Sequence, residues 1–316
     1  MLRKASVFQL IFCVFCVSLS ASQSLNSQVE KQVVGTSLPA STSCEVSDHF
    51  KSVKEQVENR WRAFQSNREF KLFTAGKSDA DLKQEFENIH SAREFMWTTL
   101  GYDLAQHLLA ADLIRAPGCV AFAYNNTVPY YNASTMCLGD KHYIACEGPR
   151  SKDIRKFFNL LATHHVTHLV RLTDSYEGET KKCHPYWEGL LSTSDGETYL
   201  DVPTEAGVYS VRAFDMAHWR DNQGVDPDEL LNLVLQVREE VVGAEDLLLV
   251  HCSAGVGRTG TFLAALAIVD AIDRGEPFSI EEIVYRLSLQ RVHSVGKFGQ
   301  YITLHRLAEN YLNQKS

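Results

Sequence analysis

The chain has 316 residues, of which 45% are hydrophobic and 22% charged, and its formal net charge is −8. These proportions are those of a globular protein able to bury a sizeable core. The acid excess excludes nucleic acid and anionic membrane surfaces as partners held by bulk charge.

The N-terminus has a short basic start, Arg3 and Lys4, followed by the apolar run Val7–Leu19, which is shorter than a bilayer span. Small residues follow at Ser20, Ala21 and Ser22. This pattern predicts an export signal over residues 1–22, with no stable membrane anchor once it is removed. Residues 23–44 are polar and serine-rich, as in a linker. Residues 45–110 read as a helical region packing on the domain that follows. The pattern predicts helices over Glu45–Phe73 and Ser78–Leu109, the second opened by Ser78 with Asp81 three residues on.

Residues 111–316 carry a mixed α/β pattern. Val166–Leu172 and Val208–Phe214 read as strands, Asp153–His164 and Asp228–Val242 as helices. The short continuous apolar run Leu247-Leu248-Leu249-Val250 fits a strand covered on both faces. It leads into His251-Cys252, a glycine-bearing turn and the apolar stretch Thr261–Ile272, so strand, loop and helix follow in order. Of the eight cysteines, Cys13 and Cys16 leave with the signal, and Cys44, Cys119, Cys137, Cys146, Cys183 and Cys252 remain. None of these six has CxxC spacing, so neither a zinc site nor a redox dithiol is predicted. Export would permit disulfides among them.

The segment His251-Cys252-Ser253-Ala254-Gly255-Val256-Gly257-Arg258-Thr259-Gly260-Thr261 has the parts of a phosphate-handling loop. A phosphate dianion needs many donors around three oxygens. The backbone N–H groups of a tight loop over Ser253, Ala254, Gly255, Val256 and Gly257 supply them, and the two glycines let that backbone curl. The helix beginning near Arg258 adds its positive end. The planar Arg258 fork can hold two phosphate oxygens at once. A helix N-terminus and a nearby cation favour the thiolate of a cysteine, which marks Cys252 as the nucleophile. Thr259 is placed to hydrogen-bond that sulfur, and His251 to position the loop.

HCSAGVGRTG over residues 251–260 resembles the His-Cys-x-x-Gly-x-x-Arg-Thr signature of the protein tyrosine phosphatases. Tyr130-Tyr131-Asn132-Ala133-Ser134, Tyr143 to Pro149, the Glu177…Lys182-Cys183…Tyr186-Trp187 segment, and Gln290-Arg291 with Gln300-Tyr301 resemble further family segments, so the likeness runs over residues 80 to 314. The resemblance implies the cysteine-phosphatase fold: a twisted mixed sheet flanked by helices, here with an N-terminal helical extension. It implies hydrolysis of phosphotyrosine in a phosphotyrosyl protein substrate, through a phosphocysteine and without cofactor or metal. Trp219-Arg220-Asp221 matches the family's Trp-Pro-Asp, which makes Asp221 the general acid and Trp219 its support. Asp226 is the rival, but it precedes Pro227 and Glu229 as a helix cap does. By the same resemblance Glu177 braces Arg258, Lys182 contacts the acid loop, and Gln300 handles the hydrolytic water.

Three departures bear on rate and substrate. Arg220 replaces a proline that would fix φ, which predicts a looser loop. Gly296 stands where the family has a second glutamine, and the Asp112-Leu113-Ile114-Arg115 neighbourhood lacks the tyrosine that stacks on the substrate ring. Two other functions compete: an inositol-phosphate phosphatase on the same loop, and a non-catalytic phosphopeptide-binding module. An oxidisable thiolate behind an export signal predicts a reducing place of work, as for a bacterial protein acting inside a host cell. The alternative is a periplasmic or extracellular scavenger of phosphate esters.

Overall fold

The computed structural model describes residues 70–96, 106, 109, 110, 112–115, 131–139, 141–243 and 245–316. The predicted signal, linker and nearly all of the first predicted helix lie outside these residues, as do Cys44 and Cys119.

Ser78 starts α1 (Asp79–Met96). Its hydroxyl accepts from the Asp81 N–H at 3.2 Å while Asp81 Oδ2 accepts from the Ser78 N–H at 3.2 Å, a reciprocal cap. β1 (Ala133–Leu138) and β2 (Lys141–Glu147) form an antiparallel hairpin. A 3₁₀ turn at Ser151–Asp153 leads into α2 (Ile154–Thr163), followed by β3 (His168–Arg171) and the small hairpin β4 (Tyr176–Glu177) and β5 (Thr180–Lys181). The meander β6 (Leu191–Ser194), β7 (Glu197–Thr204) and β8 (Gly207–Asp215) follows. The chain then runs through α3 (Pro227–Glu240), β9 (Leu248–Cys252), α4 (Gly257–Asp273), α5 (Ile280–Gln290) and α6 (Phe298–Lys315).

Seven of the nine described strands form one mixed sheet in the order β1-β2-β9-β3-β8-β7-β6, and β4 and β5 pair only with each other. β2, β9, β3 and β8 are mutually parallel and central, and antiparallel partners close both sides. Helices on both faces explain the unbroken apolar run of β9. Leu248, Val250 and Cys252 enter the core beneath α3, α4 and α6, whereas Leu249 enters the core beneath α2. Each fully buried leucine or valine here contributes about 1.5–3 kcal/mol. Leu82 and Ile89 of α1 join the first of these cores, so α1 packs with α5 and α6. Among the described residues no helix is long and apolar enough to cross a membrane.

Candidate active site

Cys252 ends β9 in the middle of the sheet, and α4 begins five residues later at Gly257. The connecting loop reverses direction at Gly255, whose φ is +71°. A Cβ there would lie 2.0 Å from the Cys146 carbonyl oxygen, so glycine is required both by conformation and by space. At Gly148 a Cβ would lie 2.4 Å from the Cys252 carbonyl oxygen.

The loop's carbonyls all find protein donors. Cys252 O accepts from His251 Nδ1 at 3.0 Å and Ser253 O from the Gly148 N–H at 3.0 Å. Arg291 Nη2 donates to Ala254 O at 3.1 Å and Arg291 Nε to Gly255 O at 2.6 Å. Val256 O accepts from the Gly260 N–H at 2.9 Å and Gly257 O from the Thr261 hydroxyl at 2.8 Å. In a trans peptide the N–H points opposite to the C=O. A tight loop with its carbonyls turned to the protein presents its N–H groups to the other side. The Gly255 N–H donates to Cys252 Sγ at 3.2 Å, which places the sulfur on that side.

Arg258 has no solvent exposure. Its Nη1 donates to Glu177 Oε1 at 2.8 Å and to the Trp219 carbonyl at 2.7 Å. Asp221 Oδ1 is 3.3 Å from Nη2 but out of line for a hydrogen bond, so Nε and Nη2 are buried without hydrogen-bond partners among the described residues. The Thr259 hydroxyl is in the same condition, and the sulfur's bond comes from Gly255 instead. Buried donors of this kind cost about 1–3 kcal/mol each unless something satisfies them. An oxyanion on the N–H side of the loop is the chemistry they fit.

His251 is wholly buried, and burial pushes its pKa down to about 3. The neutral ring therefore carries its proton on Nδ1, facing the Cys252 carbonyl, while Nε2 accepts the Tyr186 hydroxyl at 2.6 Å. Of the other thiols, Cys146 and Cys183 are also buried. Burial pushes Cys183 up to about 12 and Cys146 well up, which keeps both protonated at neutral pH.

Asp221 follows Trp219, whose indole Nε1–H donates across the loop to Gln223 O at 3.0 Å. The Asp221 N–H donates to Glu177 Oε2 at 3.0 Å and its Oδ2 accepts from Lys182 Nζ at 2.9 Å. Glu177 thus ties Arg258 to the backbone of the acid-bearing loop. Burial acts to raise the Asp221 pKa. The Lys182 hydrogen bond, the charges of Arg258 and Lys182, and the Asn222 N–H outweigh it and hold the carboxyl below its ordinary range. Asp226 is the N-cap of α3, accepting from the Asp228 and Glu229 N–H groups at 3.0 and 3.1 Å. Gln300 is buried, with Oε1 accepting from the Lys297 N–H at 3.2 Å. Its Nε2 lies 3.0 Å from where a Cβ on Gly257 would stand, so Gln300 rests against the loop.

Two contributors are invisible as functional residues in the sequence. Arg291 holds two loop carbonyls and the side chains of Asn132 and Ser134. Asn132 in turn donates to Glu147 at 3.1 Å. The Gln290-Arg291 pair and the Asn132-Ala133-Ser134 triplet are the only sequence signal for them. Among the described residues no cluster of His, Cys, Asp or Glu could hold a metal.

The geometry has counterparts. The chain of receptor-type tyrosine-protein phosphatase eta from Gallus gallus is 26% identical over 233 residues, which cover 65% of this chain and 16% of that protein. Receptor-type tyrosine-protein phosphatase alpha from Mus musculus is 28% identical over 191 residues, 54% of this chain and 23% of that one. The chain spans less than a quarter of the length of these relatives. Among solved structures, the catalytic domain of human protein tyrosine phosphatase non-receptor type 18 superposes with TM-score 0.64 at 22% identity, over 74% of this chain and 96% of that chain. A structure of PTPN18 in complex with HER2 phosphopeptides matches with TM-score 0.62 at 21% identity, over 72% of this chain and 98% of that chain. At these identities the superpositions establish the fold. The family model described as protein-tyrosine phosphatase matches residues 118–204 and 197–310, most of the chain, and the chain belongs to that family.

Proposed function

We propose that the chain hydrolyses phosphotyrosine in proteins through a phosphocysteine at Cys252. The observation that carries this reading is the loop from Cys252 to Gly257: its carbonyls are turned to protein donors, and Arg258 stands behind it with Nε and Nη2 making no hydrogen bond among the described residues. Such a site holds three phosphoryl oxygens with backbone N–H groups and one bidentate fork. Cys252 Sγ attacks phosphorus, and the P–O bond to the tyrosyl oxygen breaks as Asp221 gives that oxygen its proton. A water beside Gln300 then attacks phosphorus, Asp221 takes its proton, and the P–S bond breaks to release inorganic phosphate. The Gly255 N–H, which already donates to Cys252 Sγ, steadies the departing sulfur. Family membership and the binding of phosphopeptides by a structural relative favour a phosphotyrosyl substrate.

Parallel assays on a phosphotyrosyl peptide and on inositol hexakisphosphate test this. Phosphate is expected from the peptide at the higher rate. Faster release from the inositol ester overturns the substrate class, and phosphopeptide binding without turnover makes the chain a binding module.

The proposal extends to export, with residues 1–22 as signal, 23–44 as linker, 45–110 as a helical region and 111–316 as the catalytic domain. The basic start, the short apolar run and the small residues at 20–22 favour it. A bacterial origin and a reducing place of work inside a host cell are inferred from that export signal together with the oxidisable thiolate of Cys252. Expression of the full chain in a bacterium should yield a periplasmic or medium form whose N-terminal residue is Gln23. A cytosolic product that retains Met1 or Leu2 ends the export reading and leaves the catalytic one standing.

A further inference from the structure

The loop carrying Asp221 is anchored at both ends. At the near end the Trp219 carbonyl takes a bond from Arg258 Nη1. At the far end Val225, outside any helix or strand, has both its backbone polar groups on one side chain. Its N–H donates to Thr303 Oγ1 at 3.2 Å, and its carbonyl accepts from that hydroxyl at 2.9 Å. Thr303 stands in the second turn of α6 and is 4% exposed. A buried threonine in a helix ordinarily satisfies its hydroxyl on the carbonyl four residues back. Thr303 has that option at Gly299 O, 3.1 Å away, yet the contact to Val225 O is the shorter.

The packing around this contact leaves no slack. A Cβ on Gly224 would lie 2.6 Å from Gly299 O and 2.8 Å from Thr303 Oγ1, and one on Gly299 would lie 3.1 Å from Gly224 N. Backbone therefore meets backbone where the loop crosses α6. An apolar residue at 303 would suit the core equally well but would leave the Val225 N–H and C=O unpaired. The expectation from Arg220 was a loosened loop. The far-end contact supplies restraint that the missing proline does not.

We propose that Thr303 is a positioning residue for the general acid: it latches Val225 to α6, and the latch sets where Asp221 stands over the phosphate loop. The inference rests on the phosphatase reading of the site. It predicts that losing the latch harms the reaction in proportion to its need for a proton.

The test compares Thr303→Val and Thr303→Ser with wild type on phenyl phosphate, whose leaving group needs protonation, and on 4-nitrophenyl phosphate, whose leaving group does not. Thr303→Val should lower kcat/KM for phenyl phosphate roughly tenfold, a part of what general acid catalysis is worth, and for 4-nitrophenyl phosphate by less than about threefold. Thr303→Ser should stay within about twofold on both, since it keeps the hydroxyl. In an Asp221→Asn background Thr303→Val should cost less than about twofold on phenyl phosphate, because the two residues act through one group. Equal losses on the two esters, or an undiminished loss in the Asp221→Asn background, overturn the latch and reduce Thr303 to a packing residue. If Thr303→Val does not fold, Gly224→Ala displaces the same limb and must give the same leaving-group signature or the proposal fails. A wild type that hydrolyses neither ester overturns the phosphatase reading itself, and the latch with it.

Discussion

Replacing Cys252 by serine should abolish turnover while leaving phosphate-ester binding in place. A serine hydroxyl is a far weaker nucleophile than a thiolate at neutral pH, and loss of an essential nucleophile costs roughly 10⁴–10⁶ in kcat. Binding survives because the anion is held by other groups. The curl at Gly255 is fixed by its φ and by the Cys146 carbonyl, the loop carbonyls are held by Arg291, Gly148 and His251, and Arg258 is held by Glu177 and Trp219. None of these contacts involves Cys252 Sγ, and a serine oxygen can still accept from the Gly255 N–H. Acid quenching of wild type during turnover of a ³²P-labelled peptide should leave label on Cys252 and, in the serine variant, none. Label on another residue, or turnover by Cys252→Ser near the wild-type rate, removes the covalent scheme.

The parts of the site that are contiguous in sequence were legible in it. Strand, loop and helix from Leu248 to Asp273 are read from an apolar run, two glycines and a second apolar run, because one short segment contains the nucleophile, the N–H groups and the arginine. Asp226 was legible as a cap, since a cap is a local pattern. Arg291 was not. It comes from the end of α5, and its work is to hold backbone carbonyls, which carry no residue identity. Gly148 is in the same position, needed because the Cys252 carbonyl passes against it. Arg93 of α1 is a further case: a charged residue in a helix reads as solvent-facing, yet it is 1% exposed and donates to Ser288 Oγ, Val295 O and Ser294 O. The mixed α/β pattern was read from the residues and the twisted mixed sheet from the family resemblance, but strand order was not read from the residues, because β9 inserts between β2 and β3 and only tertiary pairing decides that.

Replacing Asp221 by alanine should lower kcat/KM for a phosphotyrosyl peptide by roughly 10²–10⁴, with a much smaller loss for 4-nitrophenyl phosphate. The structure presents an apparent difficulty, since an acid must carry a proton and Asp221 is held below the usual carboxylate range. The opposing causes resolve it. Burial pushes the carboxyl up, while Lys182 at 2.9 Å and the charge of Arg258 at 3.3 Å push it down. A bound phosphate dianion engages Arg258 and adds negative charge beside Asp221, so the lowering influence weakens and the proton becomes easier to hold. Above its folded pKa the free carboxyl is ionised and its ion pairs help hold the loop; as pH falls through that value the proton goes on and the restraint is lost. Lys182→Met should therefore move the Asp221-dependent limb of the kcat/KM pH profile to higher pH, because burial is then less opposed. Asp221→Ala should abolish that limb. Asp226→Ala should lose helix stability by about 0.5–2 kcal/mol, the worth of an N-cap, without the leaving-group signature. A larger rate loss for Asp226→Ala than for Asp221→Ala, or equal losses of Asp221→Ala on the two kinds of ester, would take the acid role away from Asp221. Reading the acid from the loop rests on that contrast: of the two aspartates five residues apart, one spends its carboxylate on helix N–H groups and the other faces the arginine behind the phosphate loop.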